Sequence, residues 1–310
     1  MKGAGIKEIG GQVQCLDLPE PADLRADELL IGVKAAGAAN WDDIVRTGGW
    51  AVGIKPPMAL GVEASGVVRG IGSAVKRFRT GDQVMTHPVP LRQQGAWAQH
   101  LVALERTVAV KPSKMSWEVA GVFPVPALIA GQVLIRAVAV RPGEVILVNG
   151  GGGVTGGVIV AVAAALGGRV ITTASSESAE RLMAYGADLV LDYRQQNWKD
   201  EVRQLTDGSG VSVAVNAVRH AAATLIPMVA DGGRLATITG DPPVSQRGIA
   251  VSNVFVEPDG EALAKLAADF VERRQTIPIA MVYGLSEAAT AVAEAVKGEA
   301  PGALLIDPSR

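Results

Sequence analysis

The stretch from Val145 to Ala174, VILVNGGGGVTGGVIVAVAAALGGRVITTA, restricts what this chain can become more than any other. An apolar run ends at Asn149, four consecutive glycines follow, an uncharged helix-compatible segment comes next, and a second apolar run starts at Val170. That order predicts strand, tight turn, helix, strand. The turn carries G-x-G-x-x-G at Gly151, Gly153 and Gly156, with Gly150, Gly152 and Gly157 around it. Such glycines allow a sharp turn, close approach of backbone to a pyrophosphate and close packing of helix on strand, while free N–H groups at the helix start face the phosphates. Gly150, Gly151, Gly153, Val154, Thr155 and Gly156 are therefore expected to bind a dinucleotide. The uncharged stretch is also long enough to span a bilayer, but each glycine inside a helix costs about 1 kcal/mol relative to alanine, which favours the turn.

A chain of 310 residues accommodates two domains, and its 48% hydrophobic and 19% charged residues describe a globular protein rather than a disordered one. The net charge is −2 with no basic cluster, which argues against nucleic acid or an anionic membrane as partner. The N-terminal MKGAGIKEIGGQ has no apolar segment of the secretory type. The single cysteine, Cys15, excludes an internal disulfide and fits a cytoplasmic setting. Cys15 is expected as a small buried hydrophobe near the first strand.

The first 120 or so residues read as short strands, at Leu29 to Ala36, Gly61 to Val68, Gln83 to Met85, Gln99 to Val102 and Val108 to Val110, with one helix at Asn40 to Thr47. From Ser116 to Arg136, Pro124 should end one helix and a second should start near Pro126. After the glycine turn, strands at Leu189, Val211 and Arg234 alternate with helices at Trp198 to Thr206 and Ala221 to Ala230, the pattern of a parallel doubly wound sheet. Helices at Glu261 to Arg274 and Ser286 to Lys297, with strands at Met281 to Tyr283 and Ala303 to Ile306, close the chain. The expected fold class is α/β: a β-rich domain formed by residues 1–121 and 256–310, and a dinucleotide-binding Rossmann domain formed by residues 122–255.

Several stretches resemble one family. Ala38-Ala39-Asn40-Trp41-Asp42-Asp43 with Arg46 and Gly48 resembles an N-x-x-D segment, Gly61 to Val68 a G-x-E-x-x-G-x-V element, and Gly81-Asp82-Gln83-Val84 a G-D-x-V element. Gly95-Ala96-Trp97 resembles a glycine-aromatic turn, and Tyr185-Gly186-Ala187-Asp188 through Asp192-Tyr193-Arg194 a G-A-D…x-Y-R strand. In this order they resemble the medium-chain dehydrogenase/reductase superfamily and, within it, the zinc-independent quinone oxidoreductase group that includes zeta-crystallin. The resemblance implies a GroES-like catalytic domain beside the Rossmann domain, a substrate cleft between them, and a homodimer. In the alcohol-dehydrogenase branch a catalytic zinc uses a cysteine near the N-x-x-D segment and a histidine just before the glutamate that matches Glu63. Ala39 or Asn40 and Val62 stand at those places, and the three histidines, His87, His100 and His220, lack ligand spacing. No metal is expected.

Without a Lewis acid, hydride is best accepted by a quinone or an enone, which delocalises the incoming charge onto its own oxygen. The resemblance thus implies NADPH-dependent reduction of a quinone or similar electron-poor carbonyl. An enoyl or alkenal reductase acting on α,β-unsaturated carbonyls is the enzyme alternative, and a cofactor-binding protein with little catalysis is the alternative of another class. Ser175 and Ser176 follow the second Rossmann strand, where an NAD site usually has an acid, and Arg181, Tyr193 and Arg194 are candidate partners for a 2′-phosphate. Asn40 is the candidate catalytic residue, orienting a carbonyl oxygen through its amide, and it could equally cap the helix that follows. Trp41, Trp50 and Ile129 are expected to line the substrate pocket, Trp97 being a further candidate. Ile129 and Ala303 replace a threonine and a lysine common in the family.

Overall fold

The computed structural model describes residues 1–310 and divides the chain into two compact units, residues 1–125 with 257–310, and residues 126–256. The first unit opens with β1 (Lys2–Ile6), β2 (Gln14–Asp17), β3 (Glu28–Ala38), α1 (Asn40–Arg46), β4 (Met58–Ala59), β5 (Ala64–Ile71), β6 (Gln83–Thr86), β7 (His100–Leu104) and β8 (Val108–Val110), followed by α2 (Trp117–Val122). Strands β2, β1 and β4 form a small antiparallel sheet in that order. The long β3 pairs antiparallel with both β5 and β7, which makes it the centre of the larger sheet. One face of that sheet buries Leu29, Ile31, Val68, Phe78, Val84, Ala103 and Val108 as a common core. Trp97 is buried too, its indole N–H donating to the Gly37 carbonyl at 2.7 Å, so it belongs to the core and not to a pocket wall.

The second unit begins within α3 (Pro124–Gly131), which runs into a π-helical turn at Gln132–Ala137. Pro124 itself starts that helix, two residues before the expected start at Pro126, because a first-turn proline needs no N–H acceptor. Then come β9 (Val145–Asn149), α4 (Val154–Ala165), β10 (Arg169–Ala174), α5 (Ala179–Ala184), β11 (Leu189–Asp192), α6 (Trp198–Leu205), β12 (Val211–Asn216), β13 (Val229–Thr237) and β14 (Ala250–Asn253). The six strands are all parallel, in the order β11-β10-β9-β12-β13-β14. α4 is apolar all round and mostly buried, as a helix packed tightly against a parallel sheet must be. The helix expected at Ala221 to Ala230 is a 3-10 helix at Ala222–Met228, and Val229 already begins β13. Pro227 lies inside it and cannot donate to an α-helical ladder.

The chain returns to the first unit with α7 (Gly260–Glu272), β15 (Ile279–Gly284), α8 (Ala288–Lys297) and β16 (Ala303–Asp307). Asp259 caps α7 by accepting from Ala262 N at 2.9 Å, and α8 stops at Gly298 in the left-handed conformation, φ 70°. β16 joins the larger sheet beside β3. Cys15 is exposed on β2, the edge strand of the small sheet, and not buried as expected, because the adjacent Leu16 takes the inward-facing position.

Candidate active site

In the second unit the glycines are needed where β9 hands over to α4. Gly150 turns the chain with φ +91°, while its N–H donates to Thr173 Oγ1 and the Gly151 N–H to the Thr173 carbonyl, both at 2.9 Å. A Cβ added at Gly156 would lie 2.0 Å from the Gly150 oxygen, and one at Gly151 2.1 Å from Thr172 Oγ1. Those two glycines serve close packing. A Cβ at Gly153 would meet only the Gly150 oxygen, at 3.7 Å, so this position borders open space. Gly153 is also the N-cap of α4 and supplies no side-chain acceptor, leaving the first N–H groups of an apolar helix, at Val154, Thr155 and Gly156, for an anion. A pyrophosphate fits this opening by chemistry and by space.

A buried polar ladder orders the carboxyl ends of the neighbouring strands. Thr173 on β10 donates to Asn149 Oδ1 (2.8 Å), Asn149 on β9 donates to Asn216 Oδ1 (3.0 Å), and Asn216 on β12 donates to the Val218 carbonyl (2.8 Å) and Thr239 Oγ1 (3.0 Å). Thr237 on β13 and Thr239 in turn donate to Asp241 at 2.7 and 2.5 Å. Burial raises the Asp241 pKa, but the two hydroxyls and the Ala222 N–H outweigh it and hold the carboxyl below its usual range. None of this ladder was anticipated from sequence. Its only signal was an asparagine ending each of two apolar strands, VILVN and VSVAVN.

At their carboxyl ends, β10 and β11 run parallel with Ala174 opposite Asp192, so Ser175, Ser176, Tyr193 and Arg194 leave the sheet side by side. Arg194 lies 3.6 Å from the Glu177 carboxylate and stacks over the Tyr193 ring at 5.7 Å. Arg181 folds back toward the glycine turn, donating to the Gly152 carbonyl at 2.7 Å and lying over the Tyr185 ring at 5.5 Å. It therefore braces the turn in this structure, whereas the sequence offers it as a candidate partner for a 2′-phosphate.

In the first unit, Asn40 is the first residue of α1 and half-buried. It does not cap the helix: Ala39 occupies the N-cap, and Asp42 accepts from the Ala39 N–H at 2.9 Å. Asp43 instead pairs with Arg46 at 2.7 Å, which ties α1 to the carbonyls of Gly10 and Gly11. Asp42 is fully buried, Glu63 is 2% exposed and His87 fully buried. Burial pushes the Asp42 carboxyl up to about 7 against the opposing Ala39 N–H. Burial also raises Glu63 well above the carboxylate range despite a hydrogen bond from Val125 N at 2.9 Å, with the neighbouring Asp42 charge adding to the rise. His87 shares a 2.6 Å hydrogen bond between Nδ1 and the Val62 carbonyl, and burial pushes its imidazole down to about 4, so the ring is neutral and Nδ1 is the donor. Trp50, half-buried, packs against His87 with ring centroids 5.9 Å apart. Buried side-chain nitrogen and oxygen atoms without a hydrogen-bond partner are confined to Trp41 Nε1, Asp42 Oδ1 and His87 Nε2. Sequence reasoning selected Trp41 and Trp50 but set His87 aside, because burial of a lone histidine has no sequence signature. Ile129, on α3 in the second unit, is 5% exposed and packs as a core residue.

No three His, Cys, Asp or Glu side chains gather in a metal-binding arrangement. No helix is long and apolar enough to cross a membrane. Residues 25–122 match the alcohol dehydrogenase GroES-like domain, and residues 185–306 match a family described as zinc-binding dehydrogenase. Quinone oxidoreductase of Sus scrofa is 24% identical over 290 residues, covering 88% of this chain and 86% of that protein. The 2-methylene-furan-3-one reductase of Solanum lycopersicum is 30% identical over 253 residues, covering 79% and 62%. A solved structure of an NAD-dependent alcohol dehydrogenase superposes with a TM-score of 0.87 at 26% identity, over 99% of both chains. With a GroES-like unit and a nicotinamide-dinucleotide-type Rossmann unit, the chain belongs to the medium-chain dehydrogenase/reductase superfamily, as an oxidoreductase of the zinc-independent, quinone oxidoreductase-like kind.

Proposed function

We propose that this protein is a cytoplasmic NADPH-dependent reductase of quinones or similar electron-poor carbonyl compounds. The observation that carries the reading is the uncapped start of α4, open at Gly153, set beside a ribose end that holds Ser175, Ser176 and Arg194. The N–H groups of Val154, Thr155 and Gly156 hold the pyrophosphate, Arg181 keeps the Gly152 segment in place, and Arg194 and the serines face the 2′-phosphate. When bound, the nicotinamide supplies the hydride. Asn40 orients the acceptor oxygen through its amide, and Trp41 and Trp50 supply apolar walls that exclude water. A homodimer, as in the resembling family, is part of the same proposal.

Reduction of an activated C=C bond is the second reading, favoured by the similarity to the furanone reductase. The first unit offers no tyrosine acid for it: Tyr283 donates to Glu294 at 2.5 Å, and burial together with that carboxylate pushes its phenol up to about 12. The test is a titration of NADPH and NADH followed by nicotinamide fluorescence, with 1,4-benzoquinone then added. Tighter NADPH binding and rapid loss of fluorescence are expected. Turnover with an enone and none with benzoquinone selects the second reading, and binding without turnover of either acceptor leaves a cofactor-binding protein.

A further inference from the structure

The ribose end of the nucleotide site carries a group that a 2′-phosphate site has no use for. Glu177 stands in the 3-10 turn Ser176–Ser178 that follows β10, the place at which Rossmann sites put the residue that reads the ribose. Its carboxylate is not loose. The Ser175 hydroxyl hydrogen-bonds it, Arg194 lies 3.6 Å away, and with its own backbone N–H these hold the carboxyl below the usual range, so it is a full negative charge at neutral pH. Arg181, the other guanidinium close by, is spent on the Gly152 carbonyl and on Ser178 Oγ at 2.7 and 3.4 Å. Arg181 keeps its charge but is turned toward the glycine turn, so of the two guanidinium groups it is Arg194 that is paired with an anion of the protein's own.

A ribose 2′-hydroxyl and a 2′-phosphate ask opposite things of such a pair. The hydroxyl is a neutral donor that a carboxylate accepts well, whereas the phosphate needs the guanidinium and is repelled by the carboxylate. We propose that Glu177 is an internal competitor for Arg194 and thereby sets the ratio of NADPH to NADH affinity. With NADH, Glu177 stays near Arg194 and accepts the 2′-hydroxyl. With NADPH, it leaves Arg194 and turns into solvent. Both side chains are more than half exposed, 54% for Arg194 and 70% for Glu177, so the exchange meets little steric resistance, and an exposed ion pair is easily given up. The inference rests on the nicotinamide reading above and concerns only how the two cofactors are told apart.

The experiment is a double-mutant cycle read by equilibrium titration of NADPH and of NADH, with Glu177→Gln, Arg194→Gln and the double variant. Glu177→Gln is expected to tighten NADPH by about tenfold, the scale of one charge-assisted contact, and to weaken NADH by a few-fold. Arg194→Gln is expected to weaken NADPH by about tenfold and to leave NADH within about twofold. In the Arg194→Gln background, where only direct repulsion by the carboxylate is left to relieve, Glu177→Gln should give NADPH a clearly smaller gain than in the unsubstituted protein. A gain of equal size without Arg194 overturns the competition, because the carboxylate is then acting only through space, and an unchanged NADPH-to-NADH ratio in Glu177→Gln overturns the role of Glu177 altogether. Failure of the unsubstituted protein to bind either cofactor overturns the underlying nicotinamide reading, a result distinct from both. Both positions are exposed, and matching thermal unfolding of all four proteins confirms that the fold is held constant.

Discussion

The two units treat buried polar groups in opposite ways. At the carboxyl ends of the parallel sheet, Thr173, Asn149, Asn216 and Thr237 are linked strand to strand by hydrogen bonds of 2.8, 3.0 and 3.2 Å. Around α1, by contrast, Asp42, Glu63 and His87 are buried with shifted pKa values, and Trp41, Asp42 and His87 each leave one polar atom unpaired. A fully satisfied ladder is a rigid scaffold, and it holds the ends of the strands that flank the glycine turn. Unsatisfied buried groups cost stability and are kept where something other than stability is selected. The carboxyl ends of the parallel sheet thus read as a fixed scaffold, and the α1 region as the part where buried polar atoms are left unpaired.

The comparison can be broken most forcefully from the rigid side. Gly156→Ala puts a methyl group 2.0 Å from the Gly150 oxygen, and it is expected to destabilise the protein by about 3 kcal/mol or more, seen as a lower midpoint in urea unfolding. Next comes Asn216→Leu, which leaves Asn149 and Thr239 without their partner. A loss of about 2 to 3 kcal/mol is expected, with the denaturant slope unchanged. A loss below about 0.5 kcal/mol means the ladder is ornamental and the contrast between the units fails.

On the other side, the buried carboxyl and imidazole bend stability with pH in opposite directions. Asp42 has a folded pKa of about 7 against 3.8 as its reference value, so it is best tolerated below pH 4 and costs stability progressively as pH rises to 7. His87 drops from 6.5 to about 4, so its contribution is present above pH 6.5 and lost as pH falls to 4. The two slopes oppose one another in the unsubstituted protein. Asp42→Asn, which can still accept from Ala39 N, is expected to gain on the order of 2 kcal/mol at pH 8 and to uncover the acid loss due to His87. Denaturant unfolding at pH 5 and pH 8 reads both, and an Asp42→Asn variant less stable at pH 8 means that the carboxylate is paired and useful there. The smallest effect is expected of Arg181→Gln, which removes the hydrogen bond to the Gly152 carbonyl and lowers stability by about 1 kcal/mol.

The glycine turn and the strand-helix alternation were legible in sequence because they depend on residue identity at short range. Only glycine tolerates the Gly150 backbone and the Gly156 contact, and the apolar periodicity of β9 and β10 is local. The α1 region was half legible. Trp41 and Trp50 stood out as aromatic residues, but Asp42, Glu63 and His87 look like ordinary surface groups until residues distant in sequence bury them. The capping expected of Asn40 passed to Asp42 because an N-cap position is fixed by where the chain leaves β3, one residue earlier than composition alone suggests. The hydrogen bond from Arg181 to the Gly152 carbonyl was not legible for a related reason. It depends on Gly157, where an added Cβ would lie 2.7 Å from the Arg181 Nη1, and that spacing is set by packing and not by the helix's own sequence.

The central claim is that the open position at Gly153 admits a dinucleotide pyrophosphate to the start of α4. Gly153→Asp tests it most directly, since the added Cβ has room and the backbone there, φ −71°, suits any residue, so the variant should fold as the unsubstituted protein does. Titrated with NADPH and followed by nicotinamide fluorescence, the unsubstituted protein is expected to saturate, and Gly153→Asp to lose affinity by about a hundredfold or more as its carboxylate meets the phosphates. Equal affinity in a normally folded Gly153→Asp protein contradicts the account.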